Sequence, residues 1–221
     1  MFKEKLISGN IYKALHCYRK MRSNYQVGKR QIEVAQGNIT KYSADALVCP
    51  ANADLEMVAF PSGVQYAFFV DGGEEIFMEA AQIGKNFRKM PMDTAVPMSV
   101  PETSAHLTKA GKLPAKYVIH SVAVGYDLKK RTLYCNKEII GKSTKNVLDL
   151  ANEKSLKSVG FPALGTGLYN VPLEEAVETM ADEFEKHLEG PTSLDRLGII
   201  LYSTEQYLVG KKVLDRMFHK K

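Results

Sequence analysis

The residues best suited to chemistry lie in one run, Gly160-Phe161-Pro162-Ala163-Leu164-Gly165-Thr166-Gly167-Leu168-Tyr169-Asn170-Val171-Pro172. It reads as a strand, a glycine loop and the start of a helix. Gly165 and Gly167 flank one small hydroxyl residue, so successive backbone N–H groups can converge with no Cβ in the way. The helix that follows turns its positive end toward the same spot. Such a loop suits an anion, and it points to a nucleotide or a sugar phosphate. A short glycine loop on its own does not exceed an ordinary strand-to-helix turn, so the rest of the chain decides.

Other reactive side chains read as structural. His120 ends an apolar strand and is expected to be buried with one ring nitrogen bonded to backbone. Cys49 lies in a buried strand, where a thiol is an inert small hydrophobe. Asp71 is expected to be a solvated helix-end residue. Lys129-Lys130-Arg131 reads as a solvated charged turn. Asp45 begins a strand and receives no role. No His, Cys, Asp and Glu group has metal-ligand spacing, so neither metal nor cofactor is expected. Cys17, Cys49 and Cys135 are odd in number and far apart. They read as reduced thiols of a cytoplasmic protein rather than a disulfide framework.

The elements that must position the loop follow from hydropathy patterning. Residues 11–21 have helical spacing, and residues 22–30 read as a polar link, so residues 1–30 are taken as an N-terminal extension. Strands are expected at 31–35, 44–49, 116–122, 159–164 and 197–202. A strongly apolar buried helix is expected at 64–70, and further helices at 137–152 and 206–218. The clearest helix has Leu173, Ala176, Val177, Met180, Ala181, Phe184 and Leu188 on one stripe. Pro172 suits its first turn. Alternating strands and helices predict a layered α/β domain with a largely parallel sheet, and ligands bind such sheets at the carboxyl ends of the strands.

The chain has 221 residues, 45% of them hydrophobic, which is enough for a sizeable core. Its net charge of +5 is spread along the chain and forms no polybasic tail, so a nucleic-acid partner is not expected. No apolar run approaches the roughly 20 residues that span a bilayer, and the first residues lack a secretory apolar core.

From residue 31 onward five segments, in order, resemble the macro domain, the ADP-ribose-binding module. They are Gly37-Asn38-Ile39-Thr40, Ala46-Leu47-Val48-Cys49-Pro50-Ala51-Asn52, Ser62-Gly63-Val64, Leu113-Pro114-Ala115-Lys116-Tyr117-Val118-Ile119-His120, and Phe161 through Tyr169. The resemblance covers residues 31–218 and implies a three-layer α/β/α domain with a mixed sheet. It implies that Gly165, Thr166, Gly167, Leu168 and Tyr169 wrap a diphosphate through backbone amides, and that Ser62, Gly63 and Val64 close over it. It places Ile39 near the adenine, Tyr202 against the adenine face, and Asn52 on the distal ribose. The implied partners are ADP-ribose or a related nucleotide, and an ADP-ribosylated protein.

The departures from the family pattern bear on catalysis. Asn38 stands where the family usually has an aspartate that accepts from the adenine amino group. Cys49 replaces the first asparagine of the family's N-A-A-N segment. Pro61 and Ser62 replace loop glycines. Gln65 stands where one hydrolytic branch has its catalytic aspartate, and an amide takes no proton near neutral pH. Binding is therefore the leading expectation. A hydrolase using water held by substrate phosphate and Asn52 is the alternative, and polyanion binding is the third.

Overall fold

The structure is a computed structural model that describes residues 21–57, 62–88 and 98–218. The helix expected at 11–21 falls, apart from Met21, outside the described residues, as does Pro61. The described chain begins with β1 (Arg22–Val27) and β2 (Arg30–Gln36), then a short 3-10 turn (Ile39–Lys41) and β3 (Ala46–Pro50). Helices α1 (Gly63–Gly72) and α2 (Glu75–Arg88) precede β4 (Ala105–Lys109) and β5 (Tyr117–Ser121). A small hairpin, β6 (Gly125–Asp127) and β7 (Thr132–Tyr134), leads to α3 (Lys137–Glu153). The chain ends in β8 (Ser158–Phe161), α4 (Leu173–Glu189), β9 (Arg196–Leu201) and α5 (Thr204–Phe218).

Seven strands form one sheet in the order β1-β2-β9-β8-β3-β5-β4. The inner strands β2, β9, β8, β3 and β5 run parallel, and the edge strands β1 and β4 are antiparallel to their neighbours. Parallel strands covered on both faces read as continuous apolar runs, and in β3 Ala46, Leu47, Val48 and Cys49 are all buried. Their alternation divides the core. Ala46 and Val48 face the α3, α4 and α5 layer, whereas Leu47 and Cys49 face Phe68 of α1 and Ile76 and Phe77 of α2. The result is the expected three-layer mixed sheet.

The stripe of α4 is buried as its spacing predicts, from Ala176 to Leu188. Arg30 holds the far end of that helix, donating to the carbonyls of Leu188, Gly190 and Thr192. This satisfies acceptors that a helix end leaves open.

Two expectations need correction. Residues 22–30 are not a link: they are β1 and a turn through Gly28, paired along the edge of the sheet. Only Tyr25 of β1 is fully buried, so an edge strand with one core residue carries no apolar signature. The helix at 64–70 forms but is not buried throughout. Phe68 anchors it, whereas Tyr66 and Val70 are exposed, because α1 covers the sheet with one face only. Asp45 has a structural role that the sequence did not suggest. Its carboxylate accepts from the Lys157 and Ser158 amides at 2.8 and 3.2 Å and pairs with Lys116 at 2.9 Å, tying β3, β5 and β8 together.

One feature of the face below α1 fixes the middle of the sheet. Gly160 of β8 and Gly198 of β9 are register partners. A Cβ at either would lie 2.8 Å or 2.6 Å from Tyr42. The Tyr42 ring lies over the two glycines, and its hydroxyl accepts from Arg196 at 2.6 Å.

Candidate ligand cleft

A cleft of about 500 Å³ opens at the carboxyl ends of β2, β8 and β9. Of the residues singled out from sequence, Asn38, Ile39, Gly63, Val64, Thr166 and Tyr202 line it. Ser62, exposed, precedes Gly63 at the start of α1. Gly165, Gly167, Leu168 and Tyr169 flank Thr166 in the chain but do not themselves line the cleft, and neither does Asn52, in the loop after β3.

The wall after β8 is made of backbone. Thr166 Oγ1 donates to the Ala163 carbonyl at 2.9 Å, and Asn170 and Val171 N–H close back on Gly167 and Gly165 at 3.1 Å each. No backbone N–H from Gly165 through Tyr169 donates to an acceptor among the described residues. Consecutive uncommitted N–H groups on a tight loop form an anion-binding concavity. The two glycines serve different ends. Gly165 has φ +76°, and a Cβ there would lie 2.8 Å from Cys135 Sγ and 2.9 Å from Ile140. Gly167 is exposed, and a Cβ there would enter open space. Leu168 is 79% exposed at the loop tip, and half-buried Tyr169 packs against the clusters on both sides of the loop.

The opposite wall begins at Gly63, φ +84°, where α1 starts with Val64 and Ala67 facing the cleft. Behind it lies a knot of amides. Asn52 Nδ2 donates to the Glu56 carbonyl at 2.8 Å, and Asn52 Oδ1 accepts from the Asp54 and Glu56 N–H groups at 3.0 and 3.2 Å. Gln65 Nε2 donates to the same Glu56 carbonyl at 3.4 Å. The Asn52 side chain therefore holds its own loop in this structure. Ala51, Ala53 and Leu55 bury that loop against Val122 and Val124.

The far end of the cleft is apolar, floored by buried Ile39, Ile200 and Leu201, with Tyr202 standing 77% exposed at its rim. Two amides line it, Asn38 and Gln206. Asn38 caps the 3-10 turn: its Oδ1 accepts from Thr40 N–H at 3.0 Å and lies 2.8 Å from Thr40 Oγ1, whose one proton goes to Asp71, and its Nδ2 donates to Asp71 at 3.4 Å. Asp71 is not the merely solvated residue expected. It accepts from Thr40 Oγ1 and pairs with Lys41 at 3.0 Å. Those contacts, Thr40 first, hold its carboxyl below the usual range. Gln206 was not foreseen. Ser203-Thr204-Glu205-Gln206 is a capping box, a signal present in the sequence. Ser203 Oγ accepts from Gln206 N–H at 3.2 Å, and Gln206 Oε1 accepts from Tyr202 and Ser203 N–H at 3.1 and 3.3 Å.

The remaining reactive groups stay out of the cleft. His120 is buried, but its partner is a side chain, Thr108 Oγ1 at 3.0 Å, rather than backbone. Burial pushes its imidazolium down to about 3, so it stays neutral. Burial likewise pushes the Cys49 thiol far up. Lys129 and Lys130 donate their N–H groups to Asp127 in an exposed turn. Among the described residues no helix is long and apolar enough to cross a membrane.

A mixed seven-stranded sheet between helical layers, with a cleft above a strand-to-helix loop, defines a three-layer α/β/α scaffold. The macro domain family model matches residues 48–180, and the chain belongs to that family. A macro domain-containing protein of Caldanaerobacter subterraneus is 30% identical over 189 residues, covering 86% of this chain and 98% of the relative. The Oceanobacillus iheyensis macrodomain with ADP superposes with a TM-score of 0.76 at 21% identity, covering 91% of this chain and 98% of that one. The Trypanosoma brucei macrodomain in complex with ADP-ribose superposes with a TM-score of 0.66 at 24% identity, covering 83% and 68%.

Proposed function

We propose that the protein binds ADP-ribose, or a closely related nucleotide diphosphate sugar, free or attached to a protein. The observation that carries this reading is the row of uncommitted N–H groups from Gly165 through Tyr169, in the loop whose Thr166 lines the cleft. A diphosphate accepts from such a row, and α1 and α4 begin near the cleft walls with their N–H ends free to add favourable dipoles. The apolar end, with Tyr202 at its rim, suits a flat base. The family match and the ligand-bound macrodomains that share this fold support the same reading.

The reading is one of binding. Position 65 holds an amide, and the Asn52 amide is engaged by its own loop. The free thiols Cys49 and Cys135 support a reducing, cytoplasmic setting. Calorimetric titration with ADP-ribose, with AMP and ribose phosphate as controls, tests the proposal. Saturable binding that prefers ADP-ribose over both fragments is the expected result, and no heat together with no thermal shift would refute it. A shallow salt dependence would separate it from polyanion binding, where several phosphate contacts make affinity fall steeply.

A further inference from the structure

The β6–β7 hairpin pairs only with itself and stands apart from the seven-stranded sheet. Its residues 128–134, Leu-Lys-Lys-Arg-Thr-Leu-Tyr, are all exposed. They hold three cations and no acid, in a chain whose net charge is only +5. Lys129, Lys130 and Arg131 have no acidic partner among the described residues. Two acids beside the hairpin are turned to main chain instead. Asp127 Oδ1 accepts from the Lys129 and Lys130 N–H groups at 2.9 and 3.0 Å, and Glu102 accepts from Tyr126 N–H at 2.6 Å. On α3 and α5, by contrast, Lys142, Lys145 and Lys211 are each matched by an acid one turn away.

The same hairpin collects exposed apolar surface. Nine large apolar side chains are exposed among the described residues, and Leu128, Leu133 and Tyr134 are three of them. Apolar side chains grouped at the surface mark a contact site, whereas scattered ones do not. The arm is also held in place. Tyr134 lies across from Gly125, where a Cβ would come within 2.9 Å of its ring. Asn136, just beyond β7, caps α3 by accepting from Ile139 N–H at 3.0 Å. Between them Cys135 packs against Gly165, so the base of the hairpin touches the loop that carries the uncommitted N–H groups.

We infer that the β6–β7 hairpin docks an acidic polypeptide segment with apolar side chains among its carboxylates. The inference rests on the reading above that the nucleotide can be attached to a protein, and it specifies the chemistry of that carrier. The unmatched cations set the sign of the partner and steer its approach. The apolar side chains choose among anionic polymers. A single-stranded nucleic acid is held on successive aromatic platforms, and residues 128–134 contain one ring, which is laid against Gly125. Two leucines gain by covering aliphatic side chains, which a polypeptide has and a sugar-phosphate backbone lacks.

The test is fluorescence anisotropy of the full chain with three labelled probes and no nucleotide. They are a peptide of Glu and Asp with interspersed leucines, the same peptide with serines for the leucines, and single-stranded DNA. Saturable binding that ranks the leucine peptide first is the expected result. Equal binding of the two peptides, or tighter binding of the DNA, would overturn the inference. The triple variant Lys129→Glu, Lys130→Glu, Arg131→Glu should weaken the leucine peptide about tenfold or more. The double variant Leu128→Ser, Leu133→Ser keeps every charge and should weaken it about threefold to tenfold. Unchanged affinity in either folded variant would overturn the inference. Calorimetry with ADP-ribose keeps the two readings apart. Binding of ADP-ribose without the peptide would overturn the docking arm alone, and binding of the peptide without ADP-ribose would keep the arm and refute the nucleotide reading.

Discussion

The two walls of the cleft are built from different material. After β8 the Thr166 wall belongs to a main-chain loop, with uncommitted N–H groups from Gly165 through Tyr169, set by one left-handed glycine and closed by two turn bonds. Across from it, the wall at α1 depends on side chains, because the loop behind it is held by Asn52 and Gln65 converging on the Glu56 carbonyl. Main-chain donors survive most substitutions, since every residue except proline carries one. Side-chain devices are lost one residue at a time.

The largest effect that would sharpen this comparison is expected at the paired glycines. Gly167→Val places its side chain in open space and should leave the melting temperature within 2 °C, as an estimate for an exposed site, while weakening ADP-ribose binding by about a hundredfold or more. Gly165→Val meets Cys135 and Ile140 in a left-handed conformation and should cost about 2–4 kcal/mol in chemical denaturation. Similar melting curves for the two variants would break the distinction between a glycine needed for the ligand and one needed for the fold.

Next is Asn52→Ala. It strips acceptors from the Asp54 and Glu56 N–H groups and should destabilise by about 1 kcal/mol, with less than about a tenfold loss of affinity. A loss as large as that of Gly167→Val would show that both walls matter equally.

The pH dependence should separate fold from site. His120 titrates near 6.5 when unfolded and near 3 when folded, so its contribution is complete above about 6.5 and declines as pH falls toward 3. Burial also lowers His106 and His187, which adds to the same slope. Melting temperature should therefore fall between pH 6.5 and 4.5, less steeply in His120→Gln. The main-chain wall has nothing to titrate, so ADP-ribose affinity should stay flat over that range in the folded protein. The smallest effect is expected for Gln65→Ala, below about threefold in affinity, because its 3.4 Å bond is long. Thermal melts and titrations across pH check all of these.

Much of this architecture is legible in the residues. The stripe from Ala176 to Leu188 and the apolar run from Ala46 to Cys49 announce α4 and β3, because burial on one or both faces leaves a period in the sequence. In α2, Ile76, Phe77 and Ala80 carry the same period, and it could have been read. β1 could not, since a polar edge strand is specified by its partner rather than by itself. At the site, glycine spacing exposes the backbone wall. The orientations of the amides at 38, 52 and 206 depend on which backbone donors the fold brings to them, and no local pattern states that for Asn38 and Asp71, 33 residues apart.

The Tyr42 ring lying over Gly160 and Gly198 has a consequence for how the protein can change over time. A methyl group at either glycine has nowhere to go while the ring is there, and a smaller residue at 42 leaves a hole above two bare strands. The three positions are a single inherited character: among descendants they should be exchanged together or not at all, although 118 residues separate the first from the second.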